Sequence, residues 1–192
     1  MPYASTIRPL ASLLSLALIV FAGAVAQAEP KARVEMHRSG VSADDGSGWH
    51  SAVSTKGSFS IRLPIPFNDF TSYDDSSKEA VHAIGGKSSE GIKFTAFQLP
   101  ITAKTPDDLN TIPKSLAANR ANKVSDVSRQ TRDGVDTISF SVATASSGSY
   151  FHCIRTKDAL YMLSIEFPNE YRETVAVMKD TFFASFKLKG SS

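Results

Sequence analysis

The sequence predicts an α+β domain, an antiparallel sheet with helices packed on it. Three observations predict this class. Short runs alternate apolar and polar residues at period two, close turns join successive runs, and two segments change to helical spacing. The order is strand–strand, strand–strand, helix, four strands, helix. Strands that follow each other through short loops should pair antiparallel.

The elements follow in order. Residues 29–48 are polar and turn-rich and predict a flexible tail that adds nothing to the core. Within it, Asp44 to Gly48 resembles a calcium loop in outline but lacks the later Glu ligand. Trp49 to Ser54 predicts a first short strand. Phe59, Ile61 and Leu63 alternate with Ser58, Ser60 and Arg62 and predict a half-buried strand, stopped by Pro64 and Pro66. Phe67 to Phe70 and the acidic stretch Ser72 to Glu79 read as loop. Val81 to Ile84 and Ile92 to Leu99 read as a hairpin around Gly85-Gly86 and Ser88 to Gly91.

Thr105-Pro106-Asp107-Asp108 reads as a helix start: a cap, a proline at the first position, and two acids at the positive end of the dipole. Leu109, Ile112, Leu116 and Ala117 recur at helical spacing. Pro113 would remove an interior bond, so either the helix kinks there or a short turn precedes a helix from about Pro113 to Asn119. Four strands follow: Val124 to Thr131, Val135 to Thr144 across an Asp133-Gly134 turn, Tyr150 to Thr156, and Ala159 to Phe167. Ile138, Phe140 and Val142 share one face, as do Tyr161, Leu163, Ile165 and Phe167. Asn169 caps a last helix in which Tyr171, Val175, Met178 and Phe182 form an apolar stripe, and Ser185 to Leu188 leaves as an extended tail.

The N-terminus reads as an export signal. Arg8 is the lone charge before an apolar run from Leu10 to Ala26, which ends in Ala26-Gln27-Ala28, a small-residue cleavage site. Cleavage after Ala28 leaves 192 − 28 = 164 residues, enough for one self-sufficient domain over residues 49–189. The expected location is the periplasm or the medium, with no membrane anchor retained. The whole chain has 21 Lys and Arg against 19 Asp and Glu, so its field is too weak to gather nucleic acid. A single cysteine, Cys153, excludes an internal disulfide framework and a Cys-rich zinc site. Its apolar strand predicts burial.

Tests for chemistry return little. Gly85-Gly86-Lys87-Ser88 looks like the end of a phosphate loop, but Val81 stands where the first glycine belongs. No G-x-S-x-G elbow occurs. His152 and Cys153 are neighbours on a strand, so they point to opposite faces and cannot act as base and nucleophile. His37, His50, His82 and His152 have no partners at metal-ligand spacing. Asp74-Asp75 and Asp107-Asp108 read as solvated acids. Arg120, Lys123, Arg129 and Arg132, interrupted by Asp126, Asp133 and Asp136, read as a mixed solvated face. No catalytic residue, metal ligand or cofactor is assigned. His82, Tyr150 and His152 are kept as candidate surface binding residues.

Two motifs carry a resemblance. Gly57-Ser58-Phe59-Ser60-Ile61-Arg62-Leu63-Pro64 is similar to the opening F-x-I-x-x-P strand of the PsbP-like superfamily. Phe182-Phe183-Ala184-Ser185-Phe186-Lys187-Leu188 is similar to its closing F-x-x-S-F signature. The mid-chain helix followed by four strands also fits. That superfamily takes in PsbP, the Ran-binding Mog proteins and DcrB-type bacterial envelope proteins. The usual tryptophan after the first proline is absent: Pro64 is followed by Ile65-Pro66-Phe67. The resemblance covers about residues 49–188 and implies an α/β/α sandwich around a central antiparallel sheet. It implies no common chemistry, because members mostly bind partners. The expected function is an exported, non-catalytic binding or assembly-support protein with an envelope protein as partner. Two alternatives stand beside it. One is a small-molecule or lipid carrier, with Phe182, Phe183 and Phe186 lining a pocket between sheet and helix. The other is an exported hydrolase whose site the sequence does not reveal.

Overall fold

The structure, a computed structural model, describes residues 32–42, 44, 46–74, 79–103, 105–132 and 134–189. The segment read as an export signal lies outside the described residues. The strands are β1 (Ala32–Val41), β2 (His50–Val53), β3 (Phe59–Leu63), β4 (Phe67–Asp74), β5 (Ala80–Lys87) and β6 (Lys93–Pro100). They continue as β7 (Lys123–Arg132), β8 (Val135–Ala143), β9 (Ser147–Arg155), β10 (Ala159–Pro168) and β11 (Lys187–Leu188). The helices are α1 (Thr111–Ala117) and α2 (Arg172–Ala184), the second entered through a 3-10 turn at Asn169–Tyr171.

Eight strands form one antiparallel sheet in the order β1-β4-β5-β6-β10-β9-β8-β7. Alternation gives the central strands two buried faces, while the edge strands β1 and β7 are largely exposed. On one face Phe94, Ala96, Tyr161, Leu163, Ile165 and Phe167 pack against α2 and a three-stranded sheet of β11, β3 and β2. On the other, Phe70, Phe97, Ile138, Phe140, Phe151 and Cys153 pack against Leu109 and Ile112 at the start of α1. The expected α/β/α sandwich is therefore present only in part. Sheet dominates, both helices are short, and a small sheet shares one of the covering layers with α2.

The motifs behind the resemblance meet in space. Phe59 stacks on Phe186 with ring centroids 5.8 Å apart, and Leu188 pairs with Phe59 as β11 adds to β3. Ser185 Oγ donates to the Phe182 carbonyl and accepts from the Arg62 amide at 3.0 Å. The serine thus ends α2 and ties it to β3. What reads as an extended tail is a short strand sealing the small sheet.

Five readings need correction. The tail at 29–48 contains β1, which pairs with β4 from Ala32–Asp74 to Val41–Phe67. The stretch 67–74 is strand rather than loop, with Asp69 and Thr71 at inward positions. The mid-chain helix begins at Thr111, not after Thr105. Thr105 Oγ1 instead donates to the Pro100 carbonyl and accepts from the Thr102 amide, closing a turn. Pro113 falls in the first turn of α1, where a missing amide hydrogen costs no intrahelical bond. Asn169 does not cap α2; its amide donates to the Thr144 and Ala145 carbonyls and fixes the helix entrance to the β8–β9 loop. Gly85 and Gly86 lie inside β5 rather than in its turn. A Cβ on Gly86 would sit 2.4 Å from the Pro66 carbonyl oxygen, so the glycine there serves a backbone crossing.

Candidate functional site

The densest polar cluster lies under β1, on the face that carries α2. A β-bulge builds it. Between Met36 and Arg38 the register with β4 slips by one residue. His37 and Arg38, neighbours in sequence, therefore both reach the inner face, as bulges allow. Arg38 donates to Asp69 Oδ2 from Nε at 3.2 Å and Nη2 at 2.9 Å, and also to the Val53 carbonyl on β2. Thr55 adds its amide at 2.8 Å and its hydroxyl at 2.6 Å to the same oxygen. Asp69 is fully buried, and its other oxygen finds no hydrogen-bond partner among the described residues.

Beside this clamp, His37 Nε2 lies 2.8 Å and His82 Nδ1 3.0 Å from Thr71 Oγ1. One hydroxyl proton serves both contacts when the rings are neutral: Thr71 donates to one imidazole and accepts N–H from the other. Burial holds the His82 pKa below its ordinary 6.5, helped by the facing His37 and by Lys56, with Asp69 pulling the other way. Tyr73 donates to Glu35 at 3.0 Å, and Glu35 stands 3.8 Å from His37. β1 is thus fastened to β4 by side chains as well as by its ladder.

His82 belongs to this cluster. Tyr150 and His152 do not. Along the registers His82–Gln98–Tyr161–Ile154, β6 and β10 intervene between β5 and β9. Three strand spacings across and two residues along the strand put the two histidines on the order of 16 Å apart. His152 Nδ1 is 2.7 Å from Ser139 Oγ, its ring lies 5.5 Å from that of Phe183, and burial lowers its pKa. Tyr150 packs on Phe167 and carries Lys179 over its ring at 5.1 Å. These contacts make both residues part of the α2 seam.

The Ser139–His152 distance matches a nucleophile and base, and cross-strand register creates it, which sequence spacing alone could not show. The backbone around the pair runs in the ladders that β8 and β9 make with each other and with β7 and β10, which engage its amides in strand pairing. Cys153 faces away from His152 and is fully buried, with its thiol pushed up to about 12. The closing aromatics are packing groups. Phe182 meets Phe94 edge-on at 5.3 Å, and Phe186 covers Phe59 and Tyr161. Among the described residues no group of three His, Cys, Asp or Glu is placed to hold a metal ion.

His37, Arg38, Asp69 and Thr71 escaped the sequence reading. The signal was present: Val34 and Met36 alternate with Arg33, Glu35 and His37 at period two. Five residues of mixed charge without a neighbouring core run resemble a tail.

Among the described residues, β1 has no strand paired on its outer side. Val34 and Met36, on the face shared with Phe70, are 40% and 50% exposed. No protein-family model and no curated protein matches the chain. It is similar to the solution structure of cyanobacterial PsbP (CyanoP) from Synechocystis sp. PCC 6803, at 12% sequence identity and a TM-score of 0.43. That match covers 73% of this chain and 92% of the other.

Proposed function

We propose that this chain is an exported, non-catalytic binding or assembly-support protein of the cell envelope, and that it takes up an extended protein segment along β1. The observation that carries the reading is the regular edge run Ala32–Met36. It is in continuous register with β4, bears two exposed apolar side chains, and is anchored by the Arg38–Asp69 and His37–Thr71–His82 contacts. Natural sheets rarely leave such an edge uncovered. Main-chain bonds would give the added strand its affinity, and Val34 and Met36 would give it an apolar contact. Export follows from the N-terminal signal. N-terminal sequencing of the protein recovered from the envelope should begin at Glu29.

A photo-cross-linking amino acid at Met36, used in the living cell, tests the binding reading. Val177, 82% exposed on the outer side of α2, is the control position. One discrete adduct from position 36, absent from position 177, is the expected result. No adduct from position 36 at normal expression would remove β1 as the binding edge.

A further inference from the structure

The edges of the two sheets are not equivalent. β7 is interrupted between Ser125 and Ser128, with Asp126 at φ 55, and its Arg129 is tied to Asp108 and Asp136. A bulged, charged edge of this kind resists pairing. On β2, Arg38 occupies the Val53 carbonyl and Asp44 bridges to His50. β1 itself is irregular from Met36 onward. Two regular five-residue runs remain on the edges of the large sheet among the described residues: Ser128–Arg132 on β7, which carries two arginines and no acid, and Ala32–Met36 on β1, with the sequence Ala-Arg-Val-Glu-Met.

The β1 run is self-complementary. Laid antiparallel on a second copy about a two-fold axis at Val34, Arg33 falls opposite Glu35, Glu35 opposite Arg33, Val34 opposite Val34 and Met36 opposite Ala32. The charged pairs lie on the face of Tyr73, and the apolar residues Val34 and Met36 on the face of Phe70. Opposite charges directly across an antiparallel pair are favourable and like charges are not. Arg33 and Glu35 are 72% and 45% exposed; their pairing with each other along the strand is long, 3.9 Å. Glu35 also accepts from Tyr73 through Oε2, which leaves Oε1 toward His37. An isologous contact of this form closes on itself and does not propagate.

We infer that a second copy of this chain occupies the β1 edge, Arg33 of each protomer facing Glu35 of the other, to give a two-fold dimer with one continuous sheet. The inference rests on β1 being the binding edge and names its occupant. Sedimentation velocity on the chain as the cell processes it, over a range of concentrations, reads the outcome. The wild type should move from monomer toward dimer as concentration rises. R33E and E35R each place like charges across both symmetric pairs and should weaken self-association about tenfold or more. R33E/E35R restores opposite charges within one chain type and should dimerise again. An equimolar mixture of R33E and E35R should form the mixed dimer, because an all-acidic edge then meets an all-basic one. Circular dichroism of each variant confirms that the fold is retained.

A wild type that stays monomeric throughout overturns the inference, as does a dimer indifferent to both reversals. Loss of association that neither the double variant nor the mixture restores overturns the proposed register. The cross-link at Met36 separates this result from the fate of the binding reading. An adduct twice the mass of the chain supports both. An adduct with a different protein removes the self-pairing and leaves strand addition standing.

Discussion

Asp69 shows how a single buried charge is held. Four donated hydrogen bonds converge on one carboxylate oxygen, two from Arg38 and two from Thr55. The Asp69 side chain is 1% exposed and the Arg38 side chain 36%, so the pair is dry on one side and wet on the other. Removing the carboxylate leaves Arg38 and the Thr55 amide without their acceptor. Full burial of both partners would make that loss about 3–5 kcal/mol. Partial solvation of Arg38 brings the expectation for Asp69→Ala to about 2–3 kcal/mol. Urea unfolding of the variant measures it. A change within about 0.5 kcal/mol, the size of an ordinary surface substitution, would show that the clamp does not hold β1. Cys153 gives a second prediction at this scale. Its thiol is fully buried and pushed up to about 12, so the reactive thiolate is scarce and inaccessible. A maleimide should label it only in denaturant; labelling of the native protein on the same timescale would contradict its burial.

At the scale of elements, α2 has an inner and an outer side with opposite sensitivities. Phe182 is 0% exposed and sits edge-on to Phe94. Phe182→Ala should cost about 3–5 kcal/mol through lost burial and the cavity left behind. Val177→Lys, on the outer side, should stay within about 0.5 kcal/mol. Thermal melts of the two variants compare them directly, and equal losses would mean that α2 is seated differently. The stripe behind this contrast was legible in the sequence, because Val175, Met178 and Phe182 keep helical spacing beside a clear strand run. β1 and β4 were not legible, for a related physical reason. Their inward positions hold His37, Asp69 and Thr71, polar groups whose burial depends on partners from distant strands. A period-two search reads hydrophobicity, and these positions invert it. The start of α1 failed differently. Thr105, Pro106 and the two acids have the right chemistry for a helix start, but turn contacts and ion pairs claim them first: Thr105 with Pro100, Asp107 with Arg155, Asp108 with Arg129.

For the whole molecule, the candidate site was readable only in fragments. His82 was in hand, but its partners lie on β1 and β4, and nothing in the spacing connects residue 37 with residues 71 and 82. The assembled structure places two neutral histidines, His82 and His152, on the same sheet face at separate points, and this gives the protein a common response to acid. Burial lowers the pKa of each below 6.5. Around His82 stand His37, Glu35, Arg33 and Arg38 on β1, Asp69 and Tyr73 on β4, and Lys56 in the β2–β3 turn; around His152 the packed groups include Ser139 and Phe183. The sign follows from linkage. With the folded value below the unfolded one, the unfolded chain binds more protons between the two, so stability rises with pH across that interval. The contribution is complete above 6.5 and is lost as pH falls from there through the lowered folded values. Unfolding midpoints in urea should therefore be level from pH 8 to 7 and decline from 6.5 to 5, a window above the ordinary range of the carboxylates. His82→Gln together with His152→Gln should remove most of that decline, although the variant is less stable at pH 8 for loss of the Thr71 and Ser139 contacts. A decline of unchanged size in the double variant would assign the acid response to other groups. A decline that vanishes with His82→Gln alone would place it at the β1–β4 junction. In that case mild acid would loosen the edge strand before the rest of the sheet, and hydrogen exchange in β1 at pH 5.5 would rise ahead of that in β10.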